Sequence, residues 1–130
     1  IILCIIPSCW PAFERGGPIY PAHKWNKGLF KKGVYVTSYT TNTELRGKGP
    51  INQEINIVGL KVIYFPVKDV WNIVDITNRQ FSCDLIKSIK EDLKVYNLIY
   101  VPAIWDYSTT IAAILWTSLL NLWFKNENPN

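Results

Sequence analysis

The 130-residue chain has few of the residues that bind metals, and it contains no methionine. It has one histidine and three cysteines (Cys4, Cys9 and Cys83), and no two of these cysteines form a CxxC pair. No zinc ligand set can be assembled from these residues, so we expect neither a metal nor another cofactor. An odd number of unpaired cysteines is typical of reduced thiols, which predicts a cytoplasmic protein.

The sequence also lacks an apolar run long enough to span a bilayer. The longest one, IAAILWTSLLNLWF at residues 111–124, is shorter than the roughly 17–25 residues that a spanning helix needs. Thr110, Thr117 and Asn121 would form a polar stripe on this helix, which predicts a helix packed against a sheet. Insertion of residues 108–124 into a membrane is the alternative.

Acidic residues are outnumbered by basic ones, 10 to 14, and the net charge is +4. This balance suits a partner that carries phosphate or a membrane surface, but a surplus of solvated lysines would produce it as well. The sequence has no P-loop, no GxSxG and no RNA-binding aromatic pattern, so we predict no nucleic-acid partner. Hydrophobic residues make up 48% of the chain, which excludes a disordered protein.

The apolar pattern predicts four strands and three helices. The strands are expected at residues 1–6, 34–40, 59–66 and 98–104. Residues 41–53 are expected to form a loop. The helices are expected from Pro21 to about Lys32, around Phe81, Leu85, Ile89 and Leu93 with a cap at Asp75, Thr77 or Asn78, and over residues 108–124.

This order of elements predicts a single α/β domain over residues 1–130, with a Rossmann-like, mainly parallel sheet and helices on both faces. The chain is expected to stop before a fifth strand. Ligands of such sheets bind beyond the carboxyl ends of the strands. The segments expected there are residues 7–17, 40–42, 66–68 and 102–107.

Three groups of residues could carry function. Gly16 and Gly17, between the first strand and the first helix, could hold a diphosphate through backbone amides, although a tight turn needs the same residues. In AIWDYST (103–109), Trp105 could stack on a sugar and Asp106 could accept hydroxyl hydrogen bonds; alternatively Asp106 or Ser108 caps the last helix.

The third group is the first helix, whose basic residues could lie on anionic lipid beside Trp25 and Phe30. A solvated lysine face over a core stripe is the alternative interpretation. The basic residues are Lys24, Lys27, Lys31 and Lys32.

Three segments together resemble one family. They are IIPSCWPAFERGGPIYPAHKWNKGLFKKGVYVTSYTTN (5–42), VGLKVIYFP (58–66) and YNLIYVPAIWDYSTTIAAILW (96–116). They follow one another as in the N-terminal domain of the family-four retaining glycosyltransferases, whose GT-B fold has two Rossmann-like domains. These enzymes move a sugar from a nucleotide-sugar donor to an acceptor, many of them on lipid-linked or cell-envelope glycans at the inner membrane face.

The resemblance implies that Gly16 and Gly17 close on the donor diphosphate and sugar, with no metal or cofactor. It implies that the partners are a nucleotide sugar and a glycan or lipid-linked acceptor, with peripheral membrane contact through the lysines of the first helix. The residues expected on the acceptor side are Trp10, Glu14, Arg15, Tyr20, Trp105, Asp106 and Tyr107.

The chain departs from the family in two ways. The 130 residues are expected to lack the family's C-terminal, nucleotide-sugar-binding domain, so the chain alone is expected to be inactive and to self-associate through an exposed sheet edge. Tyr100 and Pro102 stand where the family usually has histidines, and proline cannot donate a hydrogen bond. The alternative function is therefore a non-catalytic remnant that binds a glycan, a lipid or a protein.

Overall fold

The computed structural model describes residues 1–6, 19–42, 49–67, 82–102 and 107–127. Predictions that fall elsewhere in the chain lie outside the described residues. The helices and strands are β1 (Ile2–Ile5), α1 (Ile19–Lys31), β2 (Val36–Thr41), β3 (Glu54–Ile57), β4 (Leu60–Phe65), α2 (Cys83–Asp92), β5 (Leu98–Tyr100) and α3 (Tyr107–Glu127).

The strands form one open sheet in the order β3-β4-β2-β1-β5. Strands β4, β2, β1 and β5 run parallel, and only β3 is antiparallel to its neighbour β4. Every residue of the central strand β2 is buried, as expected for a parallel strand covered on both faces. The chain is thus an α/β protein with a five-stranded, mostly parallel sheet.

Successive residues of β1 face opposite sides of the sheet and show where the helices pack. Leu3 and Ile5 belong to a buried cluster with Leu85 of α2, and Leu115, Trp116 and Leu119 of α3 pack against it. Cys4 and Ile6 instead join Ala22 of α1 in a second cluster. The helices therefore cover both faces, α1 on one and α2 with α3 on the other, which confirms the prediction.

The helix α3 packs through one side only. Thr117 and Asn121, which the sequence placed on a polar stripe, are exposed. The Thr117 hydroxyl donates a hydrogen bond to the Ala113 carbonyl oxygen at 2.9 Å, a bond within the helix that satisfies the hydroxyl locally. Among the described residues, no helix is both long and apolar enough to cross a membrane.

The fifth strand is β3, which the sequence did not predict. It has four residues, alternately exposed and half-buried, and it lies at the edge of the sheet. Val58 and Gly59 connect it to β4 with positive φ values of 52° and 84°, the conformation of a two-residue hairpin turn. The Gly59 N–H donates a hydrogen bond to Asn56 Oδ1 at 2.8 Å.

Two predicted boundaries are wrong. The cap of α2 is Ser82, whose extended backbone and side-chain oxygen, accepting the Leu85 N–H, start the helix at Cys83. Phe81 therefore precedes this helix. The strand β5 ends at Tyr100 rather than at residue 104, because Pro102 has no N–H to donate to a neighbouring strand.

Candidate functional site

The parallel sheet has a switch point between the neighbouring strands β1 and β5. After β1 it continues into α1 on one face, whereas after the neighbouring strand β5 it continues into α3 on the other face. In open α/β sheets this arrangement leaves a crevice beyond the carboxyl ends of the two strands, and ligands bind there. The carboxyl ends of β1 and β5 are therefore the candidate site.

The described residues at this crevice are mainly apolar. Ile6 is buried, and its N–H donates a hydrogen bond to the Tyr39 carbonyl oxygen at 3.1 Å. Cys4 of β1 pairs with Tyr100 of β5. If this register is extended by two residues, Ile6 lies beside Pro102. Pro102 is half-buried. The base of the crevice therefore offers few hydrogen-bonding groups, and a ligand's polar atoms would depend on the flanking loops.

The helix N-termini supply positive potential at the same edge. Helices α1, α2 and α3 follow β1, β4 and β5 in the chain, so each begins at the carboxyl side of the parallel strands. The unpaired N–H groups of a helix N-terminus favour an anion such as a phosphate group. The start of α1 at Ile19 and the start of α3 at Tyr107 lie on opposite sides of the crevice.

A polar residue, Asn42, closes the ends of β2 and β4. Its N–H donates to the Phe65 carbonyl oxygen, and its Oδ1 accepts from the Val67 N–H, both at 3.0 Å. The sequence placed Asn42 at a strand end but did not predict these two hydrogen bonds. The signal was an asparagine directly after a buried strand, a position at which its side chain can satisfy a free backbone N–H.

The sequence also did not predict a second polar contact at this edge of the sheet. Asn52, at a positive φ of 55°, donates through its N–H to the Tyr64 carbonyl oxygen at 2.8 Å. Its Nδ2 donates to Asp84 Oδ2 at 3.1 Å and so joins the chain before β3 to the first turn of α2. Nothing in the local sequence pairs these two residues, because 32 positions separate them.

Seven of the predicted site residues lie outside the described residues, but the segments that contain them leave the described chain at known points. The segment that contains the glycines follows Ile6, and the segment that contains Trp105 follows Pro102, so both leave from neighbouring strand ends. The predicted residues that lie outside the described part are Trp10, Glu14, Arg15, Gly16, Gly17, Trp105 and Asp106.

The other predicted residues occupy three places. Tyr107 begins α3 at the crevice, and Tyr20 is exposed in the first turn of α1. Tyr100 belongs to β5, and its ring centroid lies 4.5 Å from that of Trp25 on α1. The four predicted lysines are exposed along α1 and in the turn after it, so the structure does not place them along the crevice.

The sheet under the site contains one buried polar contact of note. The Tyr39 hydroxyl donates to Asp92 Oδ2 at 2.6 Å. Burial raises the pKa of Tyr39 well above its ordinary value, and the hydrogen bond to Asp92 raises it further, so this phenol stays neutral. Tyr39 lies in the core beside α2, which makes it a structural residue.

The described residues show no metal centre. Within the described segments, no group of three or more His, Cys, Asp or Glu side chains could hold a metal ion. Cys4 is buried and Cys83 exposed, and neither forms a disulfide. The features of the described crevice that could hold an anionic ligand are the helix N-termini at its edges.

The chain is thus an α/β protein with an open, mostly parallel sheet and a candidate site at the switch between β1 and β5. Compared with known proteins, the chain matches no family model, no curated protein and no solved structure.

Proposed function

We propose that the chain is the acceptor-side, Rossmann-like domain of a retaining glycosyltransferase of the GT-B type. One observation carries the proposal: the parallel strands stand in the order β4-β2-β1-β5, the order of a doubly wound nucleotide-binding half. The two loops that resemble the family most closely leave from the adjacent carboxyl ends of β1 and β5. The segments that carry the sequence resemblance thus begin at the crevice.

In this proposal, Gly16 and Gly17 allow backbone amides to approach the donor diphosphate, and the N-terminus of α1 adds favourable potential. Trp105 offers a ring for a sugar face, and Asp106 accepts hydrogen bonds from hydroxyls. A second domain holds the nucleotide and supplies the catalytic carboxylates. Pro102 donates no hydrogen bond at the position where the family usually has a histidine.

The test is a fusion of this chain to the C-terminal domain of an active family-four enzyme. We expect little sugar transfer from a nucleotide sugar with Pro102 in place and increased transfer after Pro102→His. Pro66→His is the matched control, because Pro66 is also half-buried within two residues of the end of a parallel strand but lies away from the β1–β5 crevice. Equal activity of the two histidine variants, or none in either, contradicts the proposal.

The alternative is a non-catalytic module with the same fold, and the aromatic packing at β5 favours it. Tyr100 packs against Trp25, so one of the two usual histidines is replaced by a side chain engaged in packing. Saturation-transfer NMR with cell-envelope oligosaccharides distinguishes the two functions. Glycan binding together with an inactive Pro102→His fusion supports the binding module.

Self-association stays a prediction of its own. The strand β5 ends the sheet on one side, has only three residues and carries an exposed Leu98. An open strand edge can pair with another chain. We expect dimers or larger species in sedimentation velocity, and a single monomeric species at high concentration contradicts this. A cytoplasmic location likewise stays a prediction.

A further inference from the structure

The two faces of the sheet carry different numbers of described helices. Helices α2 and α3 cover one face, whereas α1 is the only described helix on the other. A helix is about 10 Å wide and neighbouring strands lie about 4.8 Å apart, so one helix covers about two strands. Since the sheet has five strands, α1 leaves room on its own face for a second helix.

The strand β3 supplies apolar side chains to the part of this face that lies beside α1. Ser38 accepts a hydrogen bond from Asn26 of α1, so Ser38 faces that helix. Ser38 pairs with Val62, and Val62 pairs with Ile55. Because paired residues point to the same face, Ile55 lies on the α1 side, and so does Ile57, two residues further on. Both isoleucines are only half-buried, whereas Val62 is 1% exposed.

Two exposed side chains extend this surface at the hairpin turn, and with Ile55 and Ile57 they form an apolar strip. Phe30 of α1 is 41% exposed and lies over Gly59, where an added Cβ would be 2.7 Å from Phe30 Cε1. Val58 is 65% exposed at a positive φ of 52°, which β-branched residues rarely adopt. Backbone strain of this kind clusters at binding sites, so Val58 favours a surface that meets an apolar partner.

The side of α1 next to the apolar strip is basic. Lys24, Lys27 and Lys31 recur at spacings of three and four, so they share one helical face, and all three are exposed. Phe30 follows Lys27 by three residues, which makes the two side chains neighbours on the helix. The sequence has no aspartate or glutamate between residues 19 and 42, and none of these lysines forms an ion pair with another described residue.

A second copy of the chain is a poor partner for these lysines. Four described carboxylates already have partners within the chain, namely Glu54 with Lys61, Asp84 with Asn52, Glu91 with Lys87 and Asp92 with Tyr39. These carboxylates therefore offer no unpaired acidic row to α1 of another copy. The missing negative charge must come from a different molecule, and the room beside α1 suits a helix.

We propose that the groove between α1 and β3 is the docking site of an acidic amphipathic helix that belongs to another protein. An amphipathic helix carries apolar and charged residues on separate faces and packs its apolar face into such a groove. Here that face packs on the apolar strip, while the carboxylates of the partner pair with the lysines of α1. This inference does not depend on sugar transfer.

The test titrates the full chain into a fluorescently labelled helical peptide with leucines on one face and glutamates on the other, and measures anisotropy. The control peptide has lysines in place of the glutamates. We expect only the acidic peptide to bind, and salt to weaken the binding. In the ¹⁵N-labelled chain, the peptide should shift the amide resonances of α1 and β3.

Two variants separate the charged from the apolar contribution. Lys27→Gln/Lys31→Gln should weaken binding of the acidic peptide by roughly tenfold. The matched control Lys90→Gln/Lys94→Gln removes the same charge at exposed lysines of α2 and the following turn, on the other face, and should weaken it by less than about twofold. Val58→Asn suits the turn, keeps the fold as circular dichroism can verify, and should weaken binding by roughly fivefold.

Several outcomes overturn the proposal. Failure of the acidic peptide to bind, or equal binding of the two peptides, would remove the role of charge. Equal losses in the two lysine variants would show that only net charge matters, and unchanged binding after Val58→Asn would exclude the apolar strip. Tighter binding to phosphatidylglycerol vesicles or to a single-stranded oligonucleotide than to the peptide would identify a different partner.

Discussion

The two faces of the sheet are built differently. On the α2–α3 face, seven buried residues form one apolar cluster around β1, with aromatic rings at Tyr39 and Phe65 packed edge to face at 5.1 Å. On the α1 face, a buried cluster of four described residues lies beside Leu60, Val62 and Tyr64 of β4, which are also buried. In the core of this face, Asn26 Nδ2 donates to Ser38 Oγ at 3.3 Å. The first face is thus mainly apolar, while the second combines a partly polar interior with a basic exterior.

The polar interior of the α1 face has a measurable cost. Asn26 is 4% exposed, and its Oδ1 has no hydrogen-bond partner among the described residues. A buried acceptor without a partner costs about 1–3 kcal/mol. We therefore expect this acceptor to lower the stability of the α1 face.

The largest expected effect tests whether stability is concentrated on the α2–α3 face. Leu85→Ala removes a fully buried side chain of α2 and should lower the free energy of unfolding by about 2–5 kcal/mol. Leu29→Ala, at a half-buried position of α1, is the matched variant and should cost clearly less. Urea unfolding measures both, and equal losses would remove the difference between the faces.

The next effect concerns the contact between α1 and the hairpin. Gly59→Ala should lower the free energy of unfolding by about 2 kcal/mol, because Gly59 has a positive φ of 84° and the new Cβ would meet Phe30. Gly28→Ala is the control, since nothing lies within 4 Å of its Cβ position in α1. That variant should stabilise by about 0.5–1 kcal/mol. A neutral Gly59→Ala would mean that the hairpin does not support Phe30.

A smaller change in the free energy of unfolding is expected when the buried Tyr39 is replaced, and an exposed tyrosine serves as its control. Tyr39→Phe removes the hydrogen bond to Asp92 and should lower the free energy of unfolding by about 1–2 kcal/mol. Tyr35→Phe, at an exposed tyrosine, should change it little. Both are measured by thermal unfolding at neutral pH.

The raised pKa of Tyr39 also predicts a dependence on pH. Below its ordinary value of about 10, the phenol is neutral in both states and the stabilisation is complete. As the pH rises above that value, the unfolded chain loses the proton while the folded chain keeps it, so the free energy of unfolding falls. Tyr39→Phe should show a smaller fall than Tyr35→Phe, and identical alkaline profiles contradict the assignment.

The smallest expected effect tests the polar interior of the α1 face. Ser38→Ala alone leaves the Asn26 amide without its partner and should destabilise by about 1 kcal/mol. Asn26→Leu/Ser38→Ala replaces both groups with apolar ones and should be neutral or stabilising by up to about 1 kcal/mol. If chemical unfolding shows the double variant to be less stable than the single one, the Asn26 side chain is not a cost to the fold.

Much of the fold could be predicted because its signals are local. The aliphatic run at residues 1–6 predicted a buried strand, and the apolar spacing of Ala22, Trp25 and Leu29 indicated the side of α1 that packs on the sheet, although Trp25 is 44% exposed. Burial of Leu85, Ile89 and Leu93 confirms the apolar spacing predicted around α2. These patterns repeat with the period of a helix or of a strand, and that period is a property of the backbone.

Other features could not be predicted because they depend on distant residues. The strand β3 is short and half-exposed and exists through its pairing with β4. Ser82 rather than an earlier residue caps α2, and Asn52 donates to Asp84, which lies 32 positions further along the chain. Of the candidate site, the sequence predicted that its segments follow β1 and β5 but placed the end of β5 at residue 104 instead of Tyr100, while the roles of Gly16, Gly17 and Asp106 remain proposals.

The sequence by itself determined the order of the three helices and the four parallel strands, and the basic side of α1, since each follows from the spacing of residue types along the chain. Only the tertiary structure decided that β1 lies between β2 and β5 and that Trp25 and Phe30 rest on opposite ends of the sheet. The physical reason is that strand pairing and side-chain packing join residues far apart in the chain, so their free energy depends on the whole fold.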